Sequence, residues 1–375
     1  MRLTIANDVL ADAVGFAARV LPLRPAAPIL QGMLIKADID GTVTFSAFDY
    51  EISAVVTVPA EVEEAGEVLV SGKLLAAIAN ALPSGQVKFV VEGTKVAIKA
   101  GSASYALQVM PLEQYPALPS LPEVAGSIDS DAFKTMVSKV SVAASAKEDA
   151  NPVFAGVRFK VNNDKINLTA TDRYRLAHLD GTWEAVKPDL ETSLLIKAKV
   201  LQDVAKSLGA TGEDISIGLN TDGGLELIGF SSGGKQTTAQ LIDGQLPNIE
   251  AIFPEQQPIY AVVSRPGLID AVKRVALVSD GIIKLSFTEG EVEIKAGQGE
   301  DAQASEILPA ELVGEDIAFA VKPLFLLDGL GALSDNFVRL SFTGPVKPVE
   351  ISGQETLTGD RDYDYRHFVV PYRLP

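Results

Sequence analysis

The sequence predicts an α+β chain in which one unit of about 125 residues occurs three times, each copy carrying two helices packed on largely antiparallel sheets. Three observations predict it. Two kinds of strand-then-helix segment each recur three times, candidate strands outnumber helices, and proline-rich stretches fall at the seams between copies.

The first helix of each copy follows a short apolar strand. The segments are "LTIANDVLADAV" from Leu3, "GSIDSDAFKTMV" from Gly126 and "YAVVSRPGLIDAV" from Tyr260. Asn7, Ser130 and Ser264 stand at the N-cap positions, and Pro266 suits a first turn. "APILQGMLIK" from Ala27 then matches "NPVFAGVRFK" from Asn151, with Pro28 on Pro152, Gly32 on Gly156 and Lys36 on Lys160. In the first copy the following strands read "GMLIKAD", "TVTFSAF", "ISAVVTV", "QVKFVVEG", "KVAIKAG" and "SYALQVM". Turn signals such as "DIDG" and "VEGTK" separate them. The second helix lies in "EVLVSGKLLAAIANAL", "SLLIKAKVLQDVAKSL" and "AFAVKPLFLLDGLGAL". There Leu75, Leu201 and Leu326 coincide, as do Leu82, Leu208 and Leu333. The third copy is eroded at "EIKAGQGEDAQASEIL". The seams at "MPLEQYPALPSLPEV" and "DGQLPNIEAIFPEQQP" divide the chain into domains at 1–125, 126–257 and 258–375.

Composition narrows the class. There is no cysteine, so disulfide and thiolate chemistry are excluded, which fits a reducing cytoplasmic setting. The opening "MRLTIANDVLADAVGF" is broken by Asp8 and Asp12 and reads neither as a signal peptide nor as a membrane span. A net charge of −17 argues against indiscriminate coating of nucleic acid, provided the charge is evenly spread.

It is not evenly spread. Six helix windows (8–20, 72–82, 131–147, 197–208, 265–278 and 321–334) hold twelve Lys or Arg: Arg19, Lys73, Lys134, Lys139, Lys147, Lys197, Lys199, Lys206, Arg265, Lys273, Arg274 and Lys322. They hold six acids: Asp8, Asp12, Asp131, Asp203, Asp270 and Asp328. The helices are therefore near +6 and the remainder about −23. In the third helix Phe133, Val137, Val140 and Ala144 follow the buried spacing, while Lys134, Ser138, Ser141 and Ser145 line a small, polar, positive face. Lysine is simply a good helix former, which is one reading. The other is a basic surface assembled from equivalent helices, on which phosphates are contacted without base readout.

Catalytic signatures are sparse. The two histidines, His178 and His367, are far apart and lie in no metal-binding spacing. "DGGLELIGFSSGGK" lacks phosphate-loop spacing and reads as a hairpin followed by a turn. Carboxylate pairs discriminate nothing among 49 acidic residues. No catalytic residue, metal ligand or cofactor is assigned, and the chain is not expected to be an enzyme.

One segment stands apart. "TATDRYRLAHLDG" (Thr169 to Gly181) begins as a strand and then crowds Asp172, Arg173, Tyr174 and Arg175 together, as a site or as a solvated turn. Its first-copy counterpart, "FSAFDYEISAVV", keeps Asp49 but has Tyr50, Glu51 and Ile52 in place of Arg-Tyr-Arg. The shared Asp reads as scaffold and the unshared residues as function.

"TATDRYRLAHL" closely resembles the "ATDxxRLA" segment of the bacterial DNA polymerase III β subunits, the replicative sliding clamps. "FVVPYRLP" resembles that family's "VxPxRL" tail, "LRPAAPIL" its "RPxxPIL", and "DGQLPNIEAIFP" its "DGxFPxYxxxxP". The resemblance implies the ring-forming DNA clamp fold: two chains joined head to tail as a homodimer, with helices lining a hole around duplex DNA. The DNA-facing set is then Arg24, Lys73, Lys134, Lys139, Lys197, Lys199, Lys206, Arg265, Lys273 and Lys322. Tyr105, Leu107, Leu277 and Val278 match the family's dimer contacts by position. The resemblance also implies a pocket for short peptides of the replicative polymerase, clamp loader and repair proteins. One subsite comprises Phe154, Thr171, Arg173, Tyr174, Arg175, Leu176, Pro247 and Ile252. The other comprises Val346, Pro348, Val369, Val370, Pro371, Tyr372, Arg373 and Leu374. Leu176, Pro247, Ile252 and Leu374 would floor it for a Leu or Phe anchor. The chain departs from the family pattern at Lys322, Phe325, Ala251, the short "LVSDGIIKL" loop and Pro375. A peptide-binding scaffold that encircles no DNA is the alternative. A carbohydrate-active β-rich enzyme would need an essential carboxylate pair.

Overall fold

In a computed structural model of the chain, residues 1–146, 151–186, 189–220, 227–248, 253, 257–297 and 302–373 are described. They form six α-helices: α1 (Asn7–Ala17), α2 (Gly72–Ala81), α3 (Ser130–Ser141), α4 (Ala198–Ser207), α5 (Arg265–Val275) and α6 (Pro323–Gly331). All strand pairings among the described residues are antiparallel. The strands expected in the first copy stand where the alternation put them, with the short Glu61–Glu64 added against Arg2–Ala6.

The chain divides into two compact units. Met1–Asp131, Glu184–Lys187 and Asp203–Leu241 form the first; Ala132–Trp183, Pro188–Gln202 and Ile242–Pro375 form the second. The first holds a run of fourteen hydrogen-bonded strands and the second a run of twelve. Each run crosses a seam between repeats. In the first unit Lys235–Gln240 pairs with Ile52–Pro59, Ala239 facing Ile52. In the second, Tyr365–Val369 pairs with Arg175–Thr182, Val369 facing Arg175. Sequence position therefore does not bound a compact unit: half of the middle repeat extends the sheet of each neighbour.

Buried residues follow the expected periods. Leu10, Ala13, Val14 and Ala17 form the inner stripe of α1. Phe45 and Phe89 are fully buried in the first unit, and Phe159, Phe287 and Phe342 in the second. The three phenylalanines Phe287, Phe319 and Phe342 touch one another, with ring centroids 5.6–6.4 Å apart. Ser264 caps α5 by accepting from the Gly267 N–H, and Pro266 lies in its first turn. Gly329 of α6 packs directly on the strand Tyr365–Val369. A Cβ there would stand 2.7 Å from Cδ2 of the His367 ring, so only glycine lets the helix approach this closely.

Three local expectations are corrected. Asn7 is the first residue of α1, not its cap; the cap position is Ala6, and the buried Asn7 amide donates to the Leu82 carbonyl at 3.1 Å. The third helix ends at Ser141, so Ala144 and Ser145 lie beyond it, and Lys147 falls outside the described residues. Ser141 is buried rather than on a polar face.

Candidate functional site

The unusual turn is built by Asp172. The strand Lys165–Thr171 ends, the chain reverses, and Arg175–Thr182 returns beside it. Asp172 Oδ1 accepts hydrogen bonds from the N–H groups of Tyr174 and Arg175, both at 3.0 Å. Thr171 Oγ1 accepts from the Arg173 N–H at 3.1 Å and donates to the Arg175 carbonyl at 2.6 Å. These bonds hold Arg173 at φ +79°, a left-handed conformation that a long side chain rarely adopts. The reversal pushes Arg173 and Tyr174 out to solvent and turns Arg175 inward.

Arg175 is the hub. Its Nε donates to Asp172 Oδ2 at 3.0 Å, its Nη1 pairs with Asp328 of α6, and its guanidinium lies 4.6 Å from the Phe325 ring centroid. The turn is thereby clamped onto α6. Tyr174 stacks on Phe325 with centroids 6.4 Å apart, and Arg173 covers the ring of Phe154 at 5.3 Å. The C-terminal tail joins through the backbone: the Val370 N–H donates to the Tyr174 carbonyl at 2.8 Å, and the Tyr372 N–H to the Ala320 carbonyl at 2.7 Å. Val346 and Pro348 precede the strand Val349–Gln354, whose Val349 faces Val369, so they lie beside the tail.

The structure thus brings together most of the expected docking residues in one unit. Tyr174, Val346, Val370 and Tyr372 are exposed apolar surface, with Arg173 and Arg373 at solvent beside them. Leu176, expected as floor, is buried at 2% exposure with Phe368, under Phe253; it supports the surface from below. Val369 and Pro371 are likewise buried. Pro247 is exposed. Ile252, Leu374 and Ala251 lie outside the described residues.

Beneath the surface, burial sets the ionisation. His367 is fully enclosed, and burial, helped by the nearby Arg175 charge, pushes its pKa down to about 3. The Tyr365 hydroxyl donates to the Lys139 carbonyl at 3.1 Å, and burial pushes its pKa up. Glu350 is fully buried and held by Arg366 at 2.5 Å and Arg361 at 3.1 Å. Arg366 also lies 4.3 Å from the Phe253 ring centroid, which braces the layer under the turn. Sequence reasoning did not assign Asp328, Phe253 or the Glu350 triad. Asp328 carried a signal, as the lone acid in the apolar run "LFLLDGLG".

Among the cations expected to face DNA, Arg24, Lys73, Lys199, Lys206 and Lys273 are exposed, while Lys134, Lys139, Lys197 and Arg265 are half-buried; Arg24 lies in a loop and Lys197 ends the strand Glu191–Lys197, so neither is on a helix. Arg265 is tied to the Asp335 and Leu330 carbonyls, and Lys139 lies over the Tyr365 ring. Lys322, also expected among the DNA-facing cations, is exposed and holds its ammonium over the rings of Tyr174 and Phe325.

Two strands are half-paired among the described residues. Ala103–Met110 pairs with Lys95–Ala100 through Gln108 but with Gly66–Ser71 only at Val109 and Met110. Ala304–Val313 pairs with Glu291–Ala296 through Pro309 and with Ile259–Ser264 only from Ala310. Tyr105 is 39% exposed on the first and Ile307 55% on the second; Leu277 is 84% exposed on the turn after α5, and Val278 beside it is half-buried. Leu107 is only 3% exposed: it faces Val96 in its own sheet and its side chain offers no surface to a second copy.

Residues 1–119, 127–248 and 250–365 match the family models for the N-terminal, central and C-terminal domains of the DNA polymerase III beta subunit. The chain is 42% identical to the beta sliding clamp of Streptomyces coelicolor over the whole of both proteins. It is 46% identical to that of Micrococcus luteus over 83% of this chain and all of the relative. The solved DNA polymerase sliding clamp of Bacillus subtilis superposes with a TM-score of 0.91 at 25% identity, covering all of both chains.

Proposed function

We propose a function from one premise: this chain belongs to the DNA polymerase III beta subunit family. It is a DNA sliding clamp, a non-catalytic processivity factor of replication. Three domains, 1–125, 126–257 and 258–375, make up each chain, and two chains close head to tail around duplex DNA. The half-paired strands Ala103–Met110 and Ala304–Val313 support that closure. A free strand edge is a template for pairing, and two complementary edges on one chain close a dimer through C₂ symmetry. Tyr105, Leu277 and Val278 contribute apolar contact. Arg24, Lys73, Lys134, Lys139, Lys197, Lys199, Lys206, Arg265 and Lys273 face the phosphates. Weak contacts suffice there, because a closed ring holds by topology and must slide.

The observation that carries the docking role is the Asp172 turn, bonded to the C-terminal tail and clamped to α6. It presents an apolar surface with fixed main-chain groups beside it. The replicative polymerase, clamp loader and repair proteins dock there through short peptides. Tethering raises their effective concentration, so a polymerase that lets go is recaptured. The protein works in the cytoplasm, with no cofactor and no membrane partner.

The test is retention on nicked circular DNA after loading by the cognate loader, followed by linearisation. A sliding clamp stays on the circle and runs off the linear product. Release before linearisation contradicts encirclement and favours a scaffold that binds peptides only.

A further inference from the structure

Lys322 occupies the cap position of α6, where its side chain makes no capping bond. It is exposed, and its ammonium lies 5.3 Å from the Phe325 ring centroid and 5.9 Å from that of Tyr174. The stacked rings hold the cation by their quadrupoles and leave its outward N–H groups free for an anion. The acids at hand are already engaged, since Asp172 and Asp328 both pair with Arg175. Among the described residues no carboxylate pairs with Lys322, and none pairs with Arg173, which covers Phe154. Two uncompensated cations thus rim exposed Tyr174, on a chain whose net charge is −17. The first-unit turn lacks these cations, with Tyr50 where the second has Arg173 and Glu51 where it has Tyr174.

We propose that Lys322 determines peptide specificity at this pocket: it selects partner segments in which an Asp or Glu side chain flanks the apolar anchor. The inference rests on the reading of this surface as a peptide dock. An apolar anchor against Tyr174 and Val370 brings its neighbouring side chain to the Lys322 ammonium. A carboxylate there gains a charge-assisted hydrogen bond on a surface already partly desolvated by two rings. An amide of the same shape can accept from the ammonium but carries no charge, so it lacks the ion-pair attraction.

The experiment uses the full-length protein and fluorescein-labelled pentapeptides ending in Leu-Phe. A single Asp is placed at each of the first three positions in turn, and each peptide has an Asn twin. Wild-type protein should bind the best Asp peptide about fivefold more tightly than its twin, and added salt should narrow the gap. Lys322→Met keeps the apolar stem over the rings and should bring the twins to within about twofold, chiefly by weakening the Asp peptide. Lys322→Glu should favour the Asn peptide. Twins that bind wild type equally at every position, or a preference that survives Lys322→Met, would overturn the proposal. Two further outcomes strike the docking reading itself, and this inference with it: no peptide binds wild type, or binding ignores Tyr174→Ala.

Discussion

Asp49 and Asp172 hold two copies of one turn. Asp49 Oδ1 accepts from the N–H groups of Glu51 and Ile52 at 3.0 and 2.8 Å, as Asp172 Oδ1 does from Tyr174 and Arg175. The residue after each Asp is left-handed, Tyr50 at φ +78° and Arg173 at φ +79°. Even the next strand is bonded alike: the Gln240 N–H donates to the Glu51 carbonyl and the Val370 N–H to the Tyr174 carbonyl, both at 2.8 Å. The side chains part company. In the first unit the Gln240 amide donates to the Tyr50 carbonyl and Tyr50 meets Phe48 edge-on. In the second, Arg175 reaches α6, Tyr174 stacks on Phe325, and apolar tail residues stay exposed. The shared backbone bonds make the turn; the unshared side chains make a surface.

Removing each aspartate separates scaffold from site. Asp172→Ala should cost the second unit about 2–4 kcal/mol, because two backbone donors and the inward Arg175 all lose a partner. It should also abolish peptide binding. The single tryptophan, Trp183, lies buried in the second unit beside Phe159, so its fluorescence reads that unit's unfolding in denaturant.

Acid should sharpen the contrast. Both histidines lie in the second unit. His367 is held neutral in the fold with its pKa near 3, against an ordinary value of 6.5. The stabilisation this gives is complete above pH 6.5 and is lost as pH falls toward 3, since the unfolded chain takes up the proton first. Between pH 6.5 and 5 the Trp183-reported stability should drop by about 2 kcal/mol, and His367→Gln should flatten that slope.

The smallest effect belongs to the first unit. Asp49→Ala should cost about 1–2 kcal/mol by circular dichroism, through two backbone bonds, and should leave peptide affinity unchanged. Loss of peptide binding in this variant would mean the two turns share a role.

How much was legible follows from the range of each interaction. Period-2 alternation and repeated turn residues located the strands from Gly32 to Met110, and Ser264 with Pro266 marked the start of α5. The roles of Asp49 and Asp172 were legible because the repeat supplied an internal comparison. Longer-range features were not. Arg175 and Asp328 are 153 residues apart, and no local pattern joins them. Lys322 showed its charge but not its direction, which the Tyr174–Phe325 stack sets. Leu107 shares a strand face with Tyr105, yet one is enclosed and the other exposed, which depends on how the sheet is covered.

The most direct measurement rewrites one turn as the other. Arg173→Tyr with Tyr174→Glu gives the second turn the two solvent-facing side chains of the first while keeping Asp172, Arg175 and the backbone bonds that Asp172 accepts. Titration calorimetry with a Leu-Phe-ended peptide should show affinity falling more than about tenfold, with Trp183-reported stability held within about 1 kcal/mol and retention on nicked circular DNA intact. Unchanged peptide affinity in that folded variant would contradict the assignment of function to the exposed Arg173 and Tyr174, which the first turn does not share.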